Sequence, residues 1–123
     1  MRLCNAGAVA FLTGRNSLLD ATLRQFCVTA FEGDARIALV FAMRRDADVA
    51  ELTLSLASVR SFEFYHCDDH VFYNVERVKC LWLEDELFLS LDPYDESGLP
   101  SQKDRDVFRA RELLLTTLGE PVG

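Results

Sequence analysis

Both histidines of this chain, one of its four cysteines and two adjacent aspartates fall within six residues, YHCDDH at 65–70. His66, Cys67, Asp69 and His70 are all of a type that binds zinc. A structural zinc site, however, takes four ligands in tetrahedral order, usually from two separated segments. No second Cys/His pair stands elsewhere in the chain to complete one. Cysteine–histidine catalysis is the other chemistry this composition raises. It needs a base within hydrogen-bond reach of the thiol and a site that favours thiolate. Asp68 and Asp69 give Cys67 no cationic surroundings, and His66 cannot turn across the adjacent backbone to activate it. The stretch therefore reads as a polar turn, in which Asp residues hydrogen-bond to nearby backbone. No catalytic residue, metal or cofactor is expected from it.

A second polar stretch is LDPYDESGLPSQKDRD, residues 91–106. Asp92, Asp95, Glu96, Asp104 and Asp106 carry hard oxygens suited to calcium or magnesium. Their spacing lacks the alternating acids and closing Glu of an EF-hand loop. A carboxylate-pair hydrolase needs its two acids in one defined pocket, which spacing does not supply. The reading is a polar loop with a contact role. Phe62, Phe64, Phe72, Tyr73 and Trp82 form a stacking platform for bases only if they point outward beside Lys or Arg. Phe62 and Phe64 alternate with Ser61 and Glu63, so they are expected to face the core.

Charge separates the remaining classes. Twenty acids against 13 bases give a net charge of −7. Between Lys79 and Lys103 there is no basic residue, and that window holds Glu84, Asp85, Glu86, Asp92, Asp95 and Glu96. The rest of the chain is nearly neutral. Such a segment repels phosphates, which disfavours nucleic acid, and attracts a partner with a basic surface. These six acids are the expected partner-binding residues.

The elements that must position these residues are mostly strands. A chain of 123 residues fits a single domain, 1–123. The longest apolar run, residues 37–43, is too short to cross a bilayer as a helix, so no membrane role is expected. MRLCNAGAVAFLTG is weakly apolar and lacks a clean small-x-small site, so we expect a cytoplasmic protein. The cysteines show no CxxC spacing, and Cys27 and Cys80 sit among apolar neighbours, as small buried hydrophobes do.

ELTLSLASV alternates Leu52, Leu54 and Leu56 with polar residues, the period of a half-buried strand. The phase slips at ASVR, which predicts a bulge or bend before SFEFY. ARIALVFAM, apolar on both faces, suits a central strand. Gly33 and Asp34 predict a hairpin turn between it and QFCVTAF, and Glu84–Asp85 a second one within VKCLWLEDELFLSL. YHCDDH is placed at a hairpin tip between SFEFY and the strand-like VFYNV. NSLLDATLRQF is expected to open a helix capped by Asn16 or Ser17. DRDVFRARELLLTTL is predicted as a helix with Val107, Ala110, Leu114 and Leu118 on one side. A strand with Phe108 and Ala110 inward is the alternative. The expected fold is mainly β, with about six antiparallel strands and one or two helices. They would form a small barrel or strongly bent sheet, pleckstrin-homology-like or Sm-like, with a terminal helix over one end.

LFLSLDPYDE followed by KDRDVFRAREL resembles the C-terminal part of certain small bacterial proteins of unknown function. Some of these resemble immunity proteins that neutralise toxins. The resemblance covers the C-terminal quarter and assigns no residue a role. It implies a non-enzymatic protein-interaction module, immunity-like, binding a basic partner. A bent barrel with a helix is also similar to Sm-like proteins, which implies a nucleic-acid function, although the basic loops that contact RNA there are not evident. A small metal-dependent hydrolase built on His66 and His70 is the third alternative. An exposed edge strand would also pair two copies of the chain into a homo-oligomer.

Overall fold

A computed structural model describes residues 1–69 and 71–118. In chain order its elements are β1 (Arg2–Cys4), α1 (Asn5–Phe11), a 3-10 turn (Gly14–Asn16), β2 (Thr22–Phe31), β3 (Asp34–Ala42), β4 (Glu51–Phe62), β5 (Lys79–Leu83), β6 (Glu86–Asp92) and β7 (Arg105–Leu118). The strands form one antiparallel sheet in the order β2-β3-β4-β7-β6-β5, with β1 added on β7. The mainly β class with a helix is as expected. The barrel is not: among the described residues no ladder joins β2 to β5, and the sheet stays open.

The alternating leucines explain the centre of the sheet. Ile37, Leu39 and Phe41 of β3 lie opposite Leu56, Leu54 and Leu52 of β4, and all six are buried. Leu54 and Leu56 in turn face Leu115 and Leu113 of β7, buried as well. Burying each such side chain contributes about 1.5–3 kcal/mol, so this layer is the main apolar support of the fold. The slip at ASVR is a real irregularity. Ser58 has φ 50°, and the β4–β7 register shifts between Val59 and Ser61. The extra residue turns the end of β4 so that Phe62 pairs with Phe108.

Both predicted hairpins form. Glu32 and Gly33 (φ 50° and 86°) make the β2–β3 turn, with Asp34 already paired to Phe31. Glu84 and Asp85 (φ 52° and 60°) make the β5–β6 turn. Two consecutive positive φ values are those of a type I′ turn, whose twist matches the strands it joins.

Three local expectations are corrected. Residues 105–118 are not a helix but β7, the longest strand. Phe108, Ala110, Leu113 and Leu115 are buried on it, while Leu118, on the expected helical stripe, is 68% exposed. Arg, Glu and Leu favour helix locally, but β7 is paired with β4 on one side and with β6 and then β1 on the other. Those ladders override propensity. NSLLDATLRQF does not open a helix either. The Arg44 guanidinium donates to the carbonyls of Gly14, Arg15, Ser17 and Leu19, so the groups a helix would use are already bonded. Asn16 is not a cap. It exchanges hydrogen bonds with Asp48 (Nδ2 to Oδ2 and Asp48 N to Oδ1, both 2.9 Å). The helix sits earlier, at α1, where Ala8 is buried and the element rests on β7, β5, β6 and β1.

Finally, YHCDDH is not a hairpin tip. Residues 63–78 form one long connection from β4 to β5, and VFYNV contributes a single bridge, Asn74 to Thr22. Its backbone is committed elsewhere. Glu63 N donates to Val107 O (2.9 Å), Leu23 N to Tyr73 O (2.8 Å) and Val75 N to Ala21 O (2.9 Å).

Candidate functional site

The connection 63–78 lies across the junction of β6 and β7 and leaves a cleft of about 570 Å³. One buried carboxylate, Asp106, fixes its wall. Asp106, with φ 50° at the start of β7, is turned under the connection. Its Oδ1 accepts from Tyr65 N (2.9 Å) and its Oδ2 from the Tyr73 hydroxyl. Burial, then the bond to Asp106, raises the Tyr73 pKa, so this hydroxyl keeps its proton and remains a donor.

A second buried carboxylate, Asp104, lies outside the cleft lining and anchors the loop 93–104. Lys79 opens β5 with a side chain 1% exposed, and its ammonium donates to both Asp104 oxygens (3.1 and 3.0 Å), Asp95 Oδ1 (2.9 Å) and Leu99 O (2.8 Å). Asp104 also accepts from Tyr94 N (2.9 Å) and Ser101 N (2.8 Å). Burial works against both charges. For Lys79 the hydrogen bonds and charges of Asp95 and Asp104 outweigh it, and the pKa is raised. For Asp104 the Ser101 and Tyr94 amides and then Lys79 outweigh it, and the pKa is lowered. Asp95, bonded to Lys79 and Ser97, is pulled down to about 2. The loop 93–104 is thereby tied to the start of β5.

The cleft is lined by the carboxylates Asp69, Glu76, Asp92 and Asp106, the guanidiniums Arg77 and Arg105, and His66, Tyr65 and Tyr73. Four acids against two arginines leave it acidic. Its open shape and aromatic flank suit a cationic side chain between carboxylates and a tyrosine face.

The sequence candidates divide. His66 and Asp69 line this cleft; Cys67 is half-buried beside it; His70 lies outside the described residues. His66 is exposed and meets the Phe72 ring edge-on at 5.2 Å. Among the described residues, no three His, Cys, Asp or Glu side chains are grouped to hold a metal. Of the acidic window, only Asp92 lines the cleft. Glu84 and Asp85 project at a hairpin tip. Glu86 is held between Arg60 (2.9 Å) and Arg109 (3.3 Å), and the Arg60 bond leads in lowering its pKa. Asp95 belongs to Lys79, and Glu96 is exposed. The carboxylates proposed for calcium or magnesium are thus dispersed, with Asp95, Asp104 and Asp106 occupied by protein donors.

The aromatics cluster, but not as foreseen. Phe26, Phe62, Phe64, Phe72, Tyr73 and Phe108 touch in series, with Phe62 and Phe108 parallel at 6.4 Å. Phe64 is half-buried as expected, whereas Phe62 is 41% exposed. Trp82 packs partly buried at the core, away from this group. The four cysteines are unpaired, and burial pushes the Cys80 thiol up to about 12, as befits a small hydrophobe. Sequence reasoning missed Lys79, Tyr73 and Asp106 as a framework. The legible signal was a lone lysine heading the apolar strand KCLWL.

No protein-family model, curated protein or solved structure matches the chain. The residues themselves must carry the functional reading.

Proposed function

We propose that the chain is a non-enzymatic protein-interaction module whose cleft receives a basic side chain of a partner protein. The observation that carries this reading is the cleft's composition, four carboxylates and two arginines around about 570 Å³, beside two tyrosines. The non-enzymatic part rests on how the buried groups are used. Asp106 and Tyr73 satisfy each other, and Asp104 is committed to Lys79 and two amides. Asp106 and Tyr73 shape the cleft rather than act in it, and Asp104 holds the loop 93–104. Asp69, Glu76 and Asp92 form no ion pair among the described residues, and they are the groups that would meet the ligand. The contact region first expected at residues 84–96 is thereby narrowed to Asp92 and joined to acids from 69–76.

Titration with an arginine-rich peptide, followed by NMR, tests this. Shifts should concentrate on residues 65–77, 92 and 105–106, weaken with added salt, and disappear in the Glu76→Lys/Asp92→Lys variant. An equal response in that variant, or shifts centred on Glu84 and Asp85, would refute the cleft as the contact site.

A further inference from the structure

The open sheet has three edges, and they are not alike. β1 is three residues long and carries Arg2. β5 is five residues long, begins with the inward-pointing charge of Lys79 and lies against α1. Short length, covering elements and inward charges are how sheet edges are kept from pairing. β2 carries a bulge at Arg24 and none of these devices beyond it. Its first residues are covered by the connection, through Tyr73 and Asn74. Beyond Arg24, QFCVTAF runs to Phe31 without a charge or proline. Among the described residues, no backbone hydrogen bond outside the β2–β3 ladder involves residues 24–31. Val28 is 44% exposed and Phe31 48%.

We infer that this edge pairs with the same edge of a second copy, antiparallel, about a two-fold axis at Val28. The argument begins with hydrogen-bond parity. In a two-residue hairpin the flanking residues exchange both bonds, and the pattern alternates from there. Phe31 and Asp34 flank the turn. Phe31, Thr29, Cys27 and Gln25 therefore direct their backbone groups to β3, while Ala30, Val28 and Phe26 direct theirs outward. With the axis at Val28, Val28 meets its own copy and Phe26 meets Ala30, so outward groups meet only outward groups. Side-chain parity agrees, because Phe26 and Val28 share the face of Leu39 and Ile37. The pairing thus continues the apolar inner face of one sheet into the other.

Charge selects this register and this occupant. The charges nearest the bare stretch are Arg24, the extra residue of a bulge in β2, and Glu32, the first residue of the turn. The axis at Val28 brings Arg24 of each copy toward Glu32 of the other, just beyond the paired stretch at both ends. A strand whose end charges complement each other about its own centre fits an isologous contact, in which one patch serves both copies. This inference is independent of the cleft, which lies on the other side of the connection's contact with β2.

Sedimentation equilibrium from about 1 to about 500 µM tests it. The wild type should dimerise. Val28→Glu and Val28→Lys should each weaken the dimer by about 100-fold, since like charges meet at the axis, and an equimolar mixture of the two should form a heterodimer. Arg24→Glu should weaken association, and Arg24→Glu/Glu32→Arg should restore it. The exposure of Val28 lets both variants fold, which circular dichroism checks. A wild type monomeric throughout, or Val28 variants that dimerise as the wild type does, would overturn the proposal. Failure of the charge exchange to restore pairing would overturn the register. Glu76→Lys/Asp92→Lys should dimerise normally, which separates this test from that of the cleft.

Discussion

Lys79→Met asks whether the buried ion pair organises the loop 93–104. The side chain is nearly isosteric, so packing changes little. The ammonium's four hydrogen bonds are lost, two of them to Asp104, whose side chain is fully buried. Removing one member of a buried pair costs about 3–5 kcal/mol, mostly because the other charge is left uncompensated. Asp104 keeps the amides of Tyr94 and Ser101, which places this variant at the lower end, about 3 kcal/mol. Asp104→Leu removes the acceptor of both amides as well as the counter-ion. Each orphaned donor adds about 1–3 kcal/mol, so the total exceeds about 5 kcal/mol. A domain of this length has only about 5–15 kcal/mol to lose. Lys79→Met should therefore fold with a melting temperature lower by roughly 10 °C, and Asp104→Leu should be largely unfolded. Urea unfolding at pH 7, followed by the fluorescence of Trp82, measures both. A loss below about 1 kcal/mol for Lys79→Met, or the reverse order of the two variants, would refute the argument.

Two further outcomes follow from the same geometry. The depressed carboxylates Asp95, Asp104 and Glu86 contribute stability that is present above their ordinary values, near 4, and lost as pH falls through the folded values, about 2 for Asp95. Stability of the wild type should fall between about pH 4 and pH 2, and less steeply in Lys79→Met; equal slopes in acid urea titrations would count against the pairing. The raised pKa of Lys79 has the opposite sign, with its contribution complete below 10.5 and lost as pH rises through the higher folded value. Arg44→Ala should cost about 2–3 kcal/mol and expose residues 14–19 to amide exchange, because four carbonyls lose one donor. Arg44→Lys should recover less than half, since a point charge cannot replace the planar fork.

What the sequence revealed was local. The alternation of Leu52, Leu54 and Leu56 and its slip at ASVR are consequences of a period-two backbone, and both appear where they were read. The turn at Glu84–Asp85 was legible because two-residue hairpins need a few specific φ values, and the one read at Gly33–Asp34 falls one residue earlier, at Glu32–Gly33. The last strand was not legible, because RARELLL is good helix sequence and only its pairing with three other strands makes it extended. α1 was missed because NAGAVAF carries little periodicity in seven residues. The cleft and the buried ion pair were hidden by distance. Tyr73 and Asp106 are 33 residues apart and Lys79 and Asp104 are 25 apart, and no pattern along the chain joins them.

Net charge shows how that separation changes a functional argument. The base-free window holds six acids, but cations from outside it or at its boundary meet two of them, Arg60 and Arg109 at Glu86 and Lys79 at Asp95. What remains divides between a hairpin tip at Glu84–Asp85, an exposed Glu96 and the cleft at Asp92. The cleft's other acids, Asp69, Glu76 and Asp106, come from outside the window altogether. On the proposed reading, a basic partner is drawn most where the fold concentrates acids that form no ion pair among the described residues, and the cleft provides three, Asp69, Glu76 and Asp92. YHCDDH takes part in this as a wall. Tyr65 is pinned to Asp106 through its backbone, and His66 and Asp69 follow it along the rim. Its composition suggested a ligand set, whereas its backbone hydrogen bond gives it a place in the wall of the cleft.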